Sequence, residues 1–423
     1  MLTCGILNKN CYLCKRITSN TSNQVHSTNS DWNMKKIFII CMLAAAFSVT
    51  TSAQTDEQKA VLKVAQSVND YFMAKYADPT EPTNVKKIRP SSLWTRAVYY
   101  EGLMALYSID ADQRYIDYTD LWANFHKWTP RNGTGTRDAD DQCCSQTYID
   151  RFIMTGDSAM ILPTVENIKG QIADGGRGTK GAKAGDNPDY PKYSAWDWID
   201  AIQMAMPIYA QLYKVTGERE YLEEGMNMYR WSRNECGGGL FNTDEGLWWR
   251  DADYVPPYKE KDGANCYWSR GNGWVLAALV RVMDCVNKKD AVHKELKEDF
   301  ITMCEALVAC QREDGFWNAS LVSPVTYGGK ETTGTALFVY GMCWGMRNGY
   351  LKEKTYLPIV EKAWNAMVND AVHEDGFLGW VQGTGKDPSA GQPVTYDKVP
   401  DFDDYGVGCF LLGAAEYYKL LGK

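Results

Sequence analysis

Histidine and metal-binding patterns are scarce in this chain. Only four of its 423 residues are histidines. Three of them, His126, His293 and His373, fall near the ends of helices that we predict to lie on the outside of the fold, which disfavours a histidine-dependent reaction. No spacing of His, Cys, Asp or Glu is typical of a metal site. The glycine-rich stretch 175–183 follows no predicted strand, which argues against a dinucleotide site. We therefore predict no metal ion and no cofactor.

Positive charge and long apolar runs are also in short supply. A formal net charge of −8 argues against nucleic acid or an anionic membrane as a partner. The one long apolar run, MKKIFIICMLAAAFSVTTSAQ from Met34, has the lysines, apolar core and small-residue end of a secretory signal. We predict residues 1–33 as upstream read-through, 34–53 as a signal peptide, and 54–423 as one exported domain without a membrane span. In an organism with two membranes its location would be the periplasm.

Cysteine spacing indicates neither a disulfide framework nor a zinc site. Thirteen cysteines less the four before the predicted cleavage site leave nine, which is an odd number. Most of them fall within helical patterns, where cysteine is commonly a small buried residue. Sequence alone assigns no role to the adjacent pair Cys143 and Cys144.

Apolar residues after the signal recur at helical spacing, and no convincing alternating strand is present. Short linkers within helix pairs alternate with long, Gly-, Pro- and aromatic-rich linkers between pairs, which places every long loop at one end of the fold. We predict an all-α fold, an (α/α)6 barrel of six antiparallel helix pairs. The predicted helices are 57–76, 94–110, 113–128, 138–157, 159–174, 197–218, 219–236, 269–286, 291–312, 333–351, 356–373 and 403–421.

The amino ends of the six predicted inner helices should meet at the long-loop end of the barrel. They bring together aspartates, tryptophans and an arginine, and their positive dipole ends favour a bound anion. Aromatic rings suit the apolar faces of sugars, so the set indicates an acidic oligosaccharide as the ligand. The candidate residues are Trp94, Asp138, Asp140, Asp141, Asp197, Trp198, Asp200, Trp268, Arg270, Trp274, Glu331, Thr333, Asp403, Asp404 and Tyr405.

Two interpretations of the segment WDWID at 196–200 compete. Asp197 and Asp200 have the spacing of an N-cap and the third helical position, which would make both structural. Against this, the next turn of the helix is apolar on all sides, so Asp200 should be partly desolvated. Desolvation raises the pKa of a carboxyl group and suits a proton donor near neutral pH.

Five segments together resemble the unsaturated uronyl hydrolases of glycoside hydrolase families 105 and 88, with the unsaturated rhamnogalacturonyl hydrolases as the most similar branch. The segments are WDWIDAIQMAMP, YWSRGNGW, DGFWNASL, ETTGTALFVYG and DDYGVGCFLLGAAE, and the likeness covers nearly the whole chain from about residue 60. The resemblance implies an (α/α)6 barrel. It also implies removal of a terminal 4,5-unsaturated uronic acid, galacturonyl or glucuronyl, from the products of polysaccharide lyases by hydration of a vinyl ether.

The same resemblance implies roles for individual residues. Asp200 becomes the general acid and base, with Trp198 stacking nearby. A second acid falls within DADDQ, where we choose Asp141 and place Asp140 among the substrate contacts, although sequence does not settle the order of the two. Three further substrate contacts follow from the W-x-R-G-x-G-W segment: Trp268, Arg270 and Trp274. Trp94 is a candidate substrate contact because of its place at the start of the first inner helix, and not from the resemblance.

One departure from the family pattern concerns the loop after the seventh helix, where members often carry a histidine. Here the loop reads GLFNTDEGLWWRDADY, and Trp249 or Arg250 would stand in its place. Two alternative functions stay open at this point: a conventional hydrolase of saturated glycans, and a non-catalytic oligosaccharide-binding protein. Sequence does not decide which uronide is cleaved, which sugar leaves, or the oligomeric state.

Overall fold

The computed structural model describes residues 54–84, 88–178, 190–399 and 401–423. The predicted signal peptide and the residues before it lie outside this part of the chain. Its elements, in chain order, are α1 (Asp56–Lys75), β1 (Thr83–Asn84), β2 (Ile88–Arg89), α2 (Trp94–Tyr107), α3 (Gln113–Phe125), α4 (Ala139–Gln142), α5 (Ser145–Thr155), α6 (Leu162–Ala173), α7 (Asp200–Thr216), α8 (Arg219–Asn234), β3 (Phe241–Asn242), β4 (Leu247–Trp248), α9 (Ser269–Met283), α10 (Ala291–Ala309), α11 (Pro324–Tyr327), α12 (Thr332–Arg347), α13 (Glu353–Asp370) and α14 (Asp404–Leu421).

Six helices form a closed inner ring. Helix α2 packs on α5, α5 on α7, α7 on α9, α9 on α12, α12 on α14, and α14 returns to α2. The remaining long helices alternate with these along the chain and lie outside them. The predicted (α/α)6 barrel is therefore confirmed. Within the described ranges no helix has the length and apolar character needed to span a bilayer.

Burial along each helix explains its layer. The inner helix α14 is buried without interruption over its first fourteen residues, so it has neighbours on all sides. The outer helix α13 buries a stripe that includes Tyr356, Val360, Ala363 and Met367, at the spacing of one helical face. This is why apolar glycine- and alanine-rich segments became the ring and amphipathic ones became its cover.

The ring closes where α14 meets α2, and glycine makes that contact close. A Cβ atom added to Gly102 would lie 2.5 Å from the carbonyl oxygen of Gly408, and one added to Gly408 would lie 2.2 Å from that of Val98. Backbone atoms cannot move aside as the end of a flexible side chain can. Any larger residue at either position would push the first and last inner helices apart.

Two predicted helices begin or continue differently in the structure. The predicted helix 138–157 is interrupted at Cys143 and Cys144, giving α4 and α5. The predicted helix 197–218 starts three residues later, at Asp200, because Trp198 forms a bridge with Asp251. Asp200 is thus the first residue of α7 and not its third, and Ile199 occupies the N-cap without a side-chain hydrogen bond. The capping interpretation of Asp197 and Asp200 does not describe this helix.

A polar cluster lies inside the ring, one helical turn below the mouth. The buried Glu101 accepts hydrogen bonds from Gln203 Nε2 at 2.8 Å and from the Cys143 thiol at 3.4 Å. Arg281 lies 3.9 Å from Glu101 and also contacts Asp150. Burial raises the pKa of Glu101 to about 7, and the nearby Arg281 charge opposes this increase.

We expect replacement of Glu101 by Gln to change how stability depends on pH. The folded-state pKa of about 7 exceeds the reference value of 4.5, so the native protein binds the proton more tightly and loses stability as pH rises through this window. Relative to Glu101→Gln, the wild-type free energy of unfolding should fall by about 3 kcal/mol between these limits. Urea unfolding at several pH values measures this. Parallel curves for the two proteins would contradict the assignment, and Glu57→Gln controls for loss of an exposed charge.

Candidate active site

Asp200 occupies the amino end of α7 at the mouth of the ring. The chain arrives there through a bridge between Trp198 and Asp251 and a hydrogen bond from the Ile199 amide to the Arg250 carbonyl oxygen at 2.9 Å. These two contacts hold the segment around Arg250 against the start of the helix. Asp200 is 9% exposed, so its carboxylate is largely removed from water while still reaching the mouth.

Arg250 lies between two carboxylates. Its Nε is 3.2 Å from Asp200 Oδ2, and its Nη1 is 2.5 Å from Asp251 Oδ2. The guanidinium carbon is 5.9 Å from the centre of the Trp198 ring. Burial raises the pKa of Asp200, and the positive charges of Arg250 and Arg270 reduce that increase without cancelling it.

Asp140, on the short helix α4, lies in the electrostatic field of Asp200. Burial raises its pKa well above the usual range, and the charges of Asp138 and Asp200 raise it further. No hydrogen bond from the described part of the chain reaches the Asp140 carboxylate. Two acids that raise each other's cost of ionisation retain a proton between them at pH values where an isolated aspartate has lost it.

Asp141, by contrast, is bound by hydrogen-bond donors of a neighbouring loop. Its carboxylate accepts hydrogen bonds from Arg131 at 2.7 Å, Asn132 at 2.9 Å and Thr136 at 2.7 Å. Its backbone carbonyl also accepts from the Arg131 amide at 2.9 Å. Asp141 therefore anchors the loop 131–136, and the structure places Asp140, its neighbour, beside Asp200.

The tryptophans divide between the mouth and the interior. Trp94 and Trp198 are partly exposed. Trp274 is fully buried beneath Trp94, with ring centroids 6.2 Å apart in an edge-to-face arrangement. Trp268 is also buried, and its Nε1 donates to Gln382 Oε1 at 2.8 Å. Trp268 and Trp274 support the mouth from below.

Arg270 is completely buried. Its Nη1 and Nη2 donate to the carbonyl oxygens of Gln382 and Gly383, each at 2.9 Å. Its guanidinium carbon lies 4.5 Å from the Trp268 ring and 5.1 Å from the Tyr405 ring. These contacts direct the guanidinium toward the loop at 382–383, and its charge reaches Asp200 only at longer range.

Other acids of the predicted mouth are engaged by protein groups. Glu331 caps α12 by accepting from the amides of Thr333 and Gly334. Asp138 caps α4. Asp403 pairs with Lys75 at 2.6 Å and Asp404 with Arg96 at 3.4 Å. These contacts give the four acids structural tasks.

The structure thus gathers Asp200, Asp140, Trp198 and Trp94 from among the sequence-predicted site residues at or near the surface of the mouth. Arg250, which the sequence offered only as one of two replacements for the family histidine, is the further functional candidate that the structure places against Asp200. The signal for it was weak, because an arginine beside tryptophans in a loop has many structural explanations. A cavity of about 750 Å³ opens beside Trp198 and Arg250. Among the described residues, no three His, Cys, Asp or Glu side chains are grouped to hold a metal ion.

The two neighbouring acids should respond differently to amidation. Asp141→Asn removes the charge that three donors share and should lower the free energy of unfolding by about 1–3 kcal/mol. Asp140→Asn should not destabilise the protein, because the Asp140 carboxyl accepts no hydrogen bond from the described residues and burial, Asp138 and Asp200 all oppose its ionisation. Urea unfolding of both variants at neutral pH tests this. A larger loss for Asp140→Asn than for Asp141→Asn would reverse our assignment of tasks.

The chain is similar to known glycoside hydrolases over most of its length. The family model described as Glycosyl Hydrolase Family 88 matches residues 64–421. An unsaturated 3S-rhamnoglycuronyl hydrolase from Formosa agariphila is 30% identical over 396 residues, which cover 91% of this chain and 98% of the relative. A protein of the same description from Alteromonas sp. is 31% identical over 405 residues, covering 93% and 92%.

A solved structure extends the likeness to the fold. A glycosyl hydrolase family 88 protein from Bacteroides vulgatus is 30% identical and superimposes with a TM-score of 0.74, covering 86% of this chain and 99% of that one. The match of the family model to most of the chain agrees with the resemblance stated from the five sequence segments. The chain belongs to glycosyl hydrolase family 88 and is a glycoside hydrolase.

Proposed function

We propose that this glycoside hydrolase removes a terminal 4,5-unsaturated uronic acid from acidic oligosaccharides that polysaccharide lyases generate. The observation that carries the proposal is the pair of buried acids, Asp200 and Asp140, whose pKa values are both raised at the mouth of the barrel. Two relatives of about 30% identity are described as unsaturated rhamnoglycuronyl hydrolases, which supports the same substrate class.

The chemistry requires one proton and one water molecule. In the substrate, the C4=C5 double bond is joined to the ring oxygen and forms a vinyl ether. Asp200 donates its proton to C4, and the positive charge that develops is shared between C5 and the ring oxygen. Water then adds to C5 while the Asp200 carboxylate accepts its proton. The resulting hemiketal opens, and the hemiacetal left at C1 collapses to release the remaining chain as an alcohol.

Asp200 suits both halves of this cycle. Burial favours its protonated form before the reaction, and the longer-range charge of Arg270 stabilises its ionised form afterwards. Asp140 is the second acid in our proposal, in place of Asp141. Within the described residues no hydrogen-bond donor reaches its carboxylate, which can therefore hold the attacking water or a ring hydroxyl. Trp198 and Trp94 supply apolar faces for the sugar rings.

Conventional hydrolysis of a saturated glycan would use two carboxylates differently, one as acid and one as nucleophile or base. In this chain burial raises the pKa of both acids, and the cation Arg250 contacts one of them, Asp200. This environment favours delivery and recovery of a single proton. Release of saturated sugars from polysaccharide that no lyase has treated would support the conventional reaction.

Replacement of Asp200 by Asn should strongly slow turnover while preserving the fold. With unsaturated oligosaccharides from rhamnogalacturonan, ulvan or glycosaminoglycans, the ultraviolet absorbance of the conjugated C4=C5 carboxylate should disappear with wild-type protein. Asp200→Asn should slow this loss by about 10²–10⁴-fold with little change in melting temperature. Asp253→Asn, an exposed acid of the same loop region, serves as the matched control. Undiminished absorbance with every substrate, despite measurable binding, would overturn the proposal.

We also propose that the enzyme acts outside the cytoplasm, most simply in the periplasm. The support is the predicted signal peptide at 34–53. If the segment is cleaved as expected, amino-terminal sequencing of the secreted protein should begin at Gln54. A mature protein that retains Met34 would contradict the proposal.

A further inference from the structure

Arg250 differs from the other cations near the mouth in what it contacts. Arg137 is buried and pairs with Asp174 at 2.7 Å. Arg270 donates through both Nη groups to backbone carbonyls. Arg250 borders the cavity with its side chain 21% exposed and directly contacts Asp200. It therefore reaches the acid and the open space together.

The guanidinium of Arg250 is only partly used by the protein. Its Nε donates to Asp200 and its Nη1 to Asp251. Within the described residues, Nη2 donates no hydrogen bond. A guanidinium can present two parallel donors to a carboxylate, and Arg is the side chain best suited to that geometry. Pairing both Nη groups with an incoming anion would require weakening the existing contacts.

Charge balance makes such an exchange favourable when an acidic sugar enters. Asp200 and Asp251 already flank a single cation, and Asp140 adds a third acid nearby. The carboxylate of a terminal uronide would bring a further negative charge into a poorly solvated site. The substrate carboxylate needs a cation in that site. Protonation of Asp200 becomes less unfavourable once Arg250 also interacts with the substrate.

We propose that Arg250 binds the carboxylate of the terminal unsaturated uronide and, in doing so, gives up its ion pair with Asp200. Substrate binding would then release Asp200 from the arginine, and its carboxylate would take up one proton from water and face the C4=C5 bond as a neutral acid. This inference rests on the proposed function. It adds that Arg250 is the residue that recognises the uronide, and that its release from Asp200 sets when Asp200 becomes protonated.

The groups that face Asp200 set the expected direction of its titration. Burial raises its pKa, and Arg250 and Arg270 lower it. Releasing Arg250 removes one of the two lowering charges, so the pKa of Asp200 rises on substrate binding. The charged or titratable groups near Asp200 on neighbouring elements are Asp140 on α4, Arg250 and Asp251 on the loop before α9, and Arg270 on α9. Glu101 on α2 lies further away and contacts α7 through Gln203, one turn after Asp200.

The pH profiles of two kinetic parameters report the pKa of Asp200 in the free enzyme and in the substrate complex. The pH dependence of kcat/KM reports free enzyme, and that of kcat reports the complex. In wild-type protein we expect the basic limb of kcat at higher pH than that of kcat/KM. In Arg250→Gln, Asp200 is relieved of the cation from the start, so the basic limb of kcat/KM should move to higher pH and the gap between the limbs should shrink.

A chemical change in the substrate tests recognition separately. The methyl ester of an unsaturated disaccharide keeps the conjugated double bond but lacks the carboxylate charge. Wild-type protein should show a KM about 10–100-fold higher for the ester than for the acid, as expected for loss of a charge-assisted contact. Arg250→Gln should hardly distinguish the two. Arg250→Lys should retain a preference for the acid. Lys386 also lines the cavity and pairs with Asp253, so it is the competing cation, and Lys386→Gln should retain the wild-type preference.

Binding without turnover completes the test. Calorimetric titration of acid and ester into Asp200→Asn, and into the same variant carrying Arg250→Gln, measures recognition in proteins that do not consume the ligand. A preference for the acid that survives Arg250→Gln, with wild-type turnover intact, would overturn this inference and leave the proposed function standing. Wild-type protein that turns over no unsaturated substrate would overturn both.

Discussion

The junction between residues 198–200 and 250–251 is the contact on which the site depends. The Ile199 amide bonds to the Arg250 carbonyl oxygen at 2.9 Å, and Trp198 forms a bridge with Asp251. These contacts commit the backbone of Trp198 and Ile199 to the loop, and α7 begins at Asp200. The same junction brings the Arg250 guanidinium to the carboxylate. One short piece of sheet-like pairing thus determines where the helix starts, how deeply its first acid is buried and which cation faces it.

A second layer fixes the two acids from below. Gln203 follows Asp200 by three residues on α7, and Cys143 follows Asp140 by three residues at the end of α4. Both donate to Glu101 on α2. The ring helices α2 and α7 and the junction between α4 and α5 are therefore joined by one buried carboxyl group beneath the mouth. Such supporting contacts hold reactive side chains in place more firmly than the flanking loops could.

Sequence periodicity was enough for the barrel because ring and cover differ in burial over entire helices. It also identified Asp200, since an acid before an apolar turn is unusual in any setting. It could not separate Asp140 from Asp141, because their difference arises from the loop that supplies Arg131 and Thr136 to only one of them. Sequence also could not choose between Arg250 and Trp249 as the replacement for the family histidine, because loop pairing across some fifty residues leaves no periodic trace.

The distribution of charge at the mouth explains why a side chain must recognise the substrate anion. The converging amino ends of the helices predicted a dipolar site for it, but at α4, α7 and α12 the protein places its own carboxylates. Helices α2 and α9 have no acid in their first turn. Glu331 accepts both free amides at the start of α12, Asp138 caps α4, and Asp200 is the first residue of α7. The substrate carboxylate gains little from helix amino ends that already interact with a carboxylate of the protein. The attraction must come from a full charge that can change partners, and among the described residues Arg250 contacts the acid and borders the cavity.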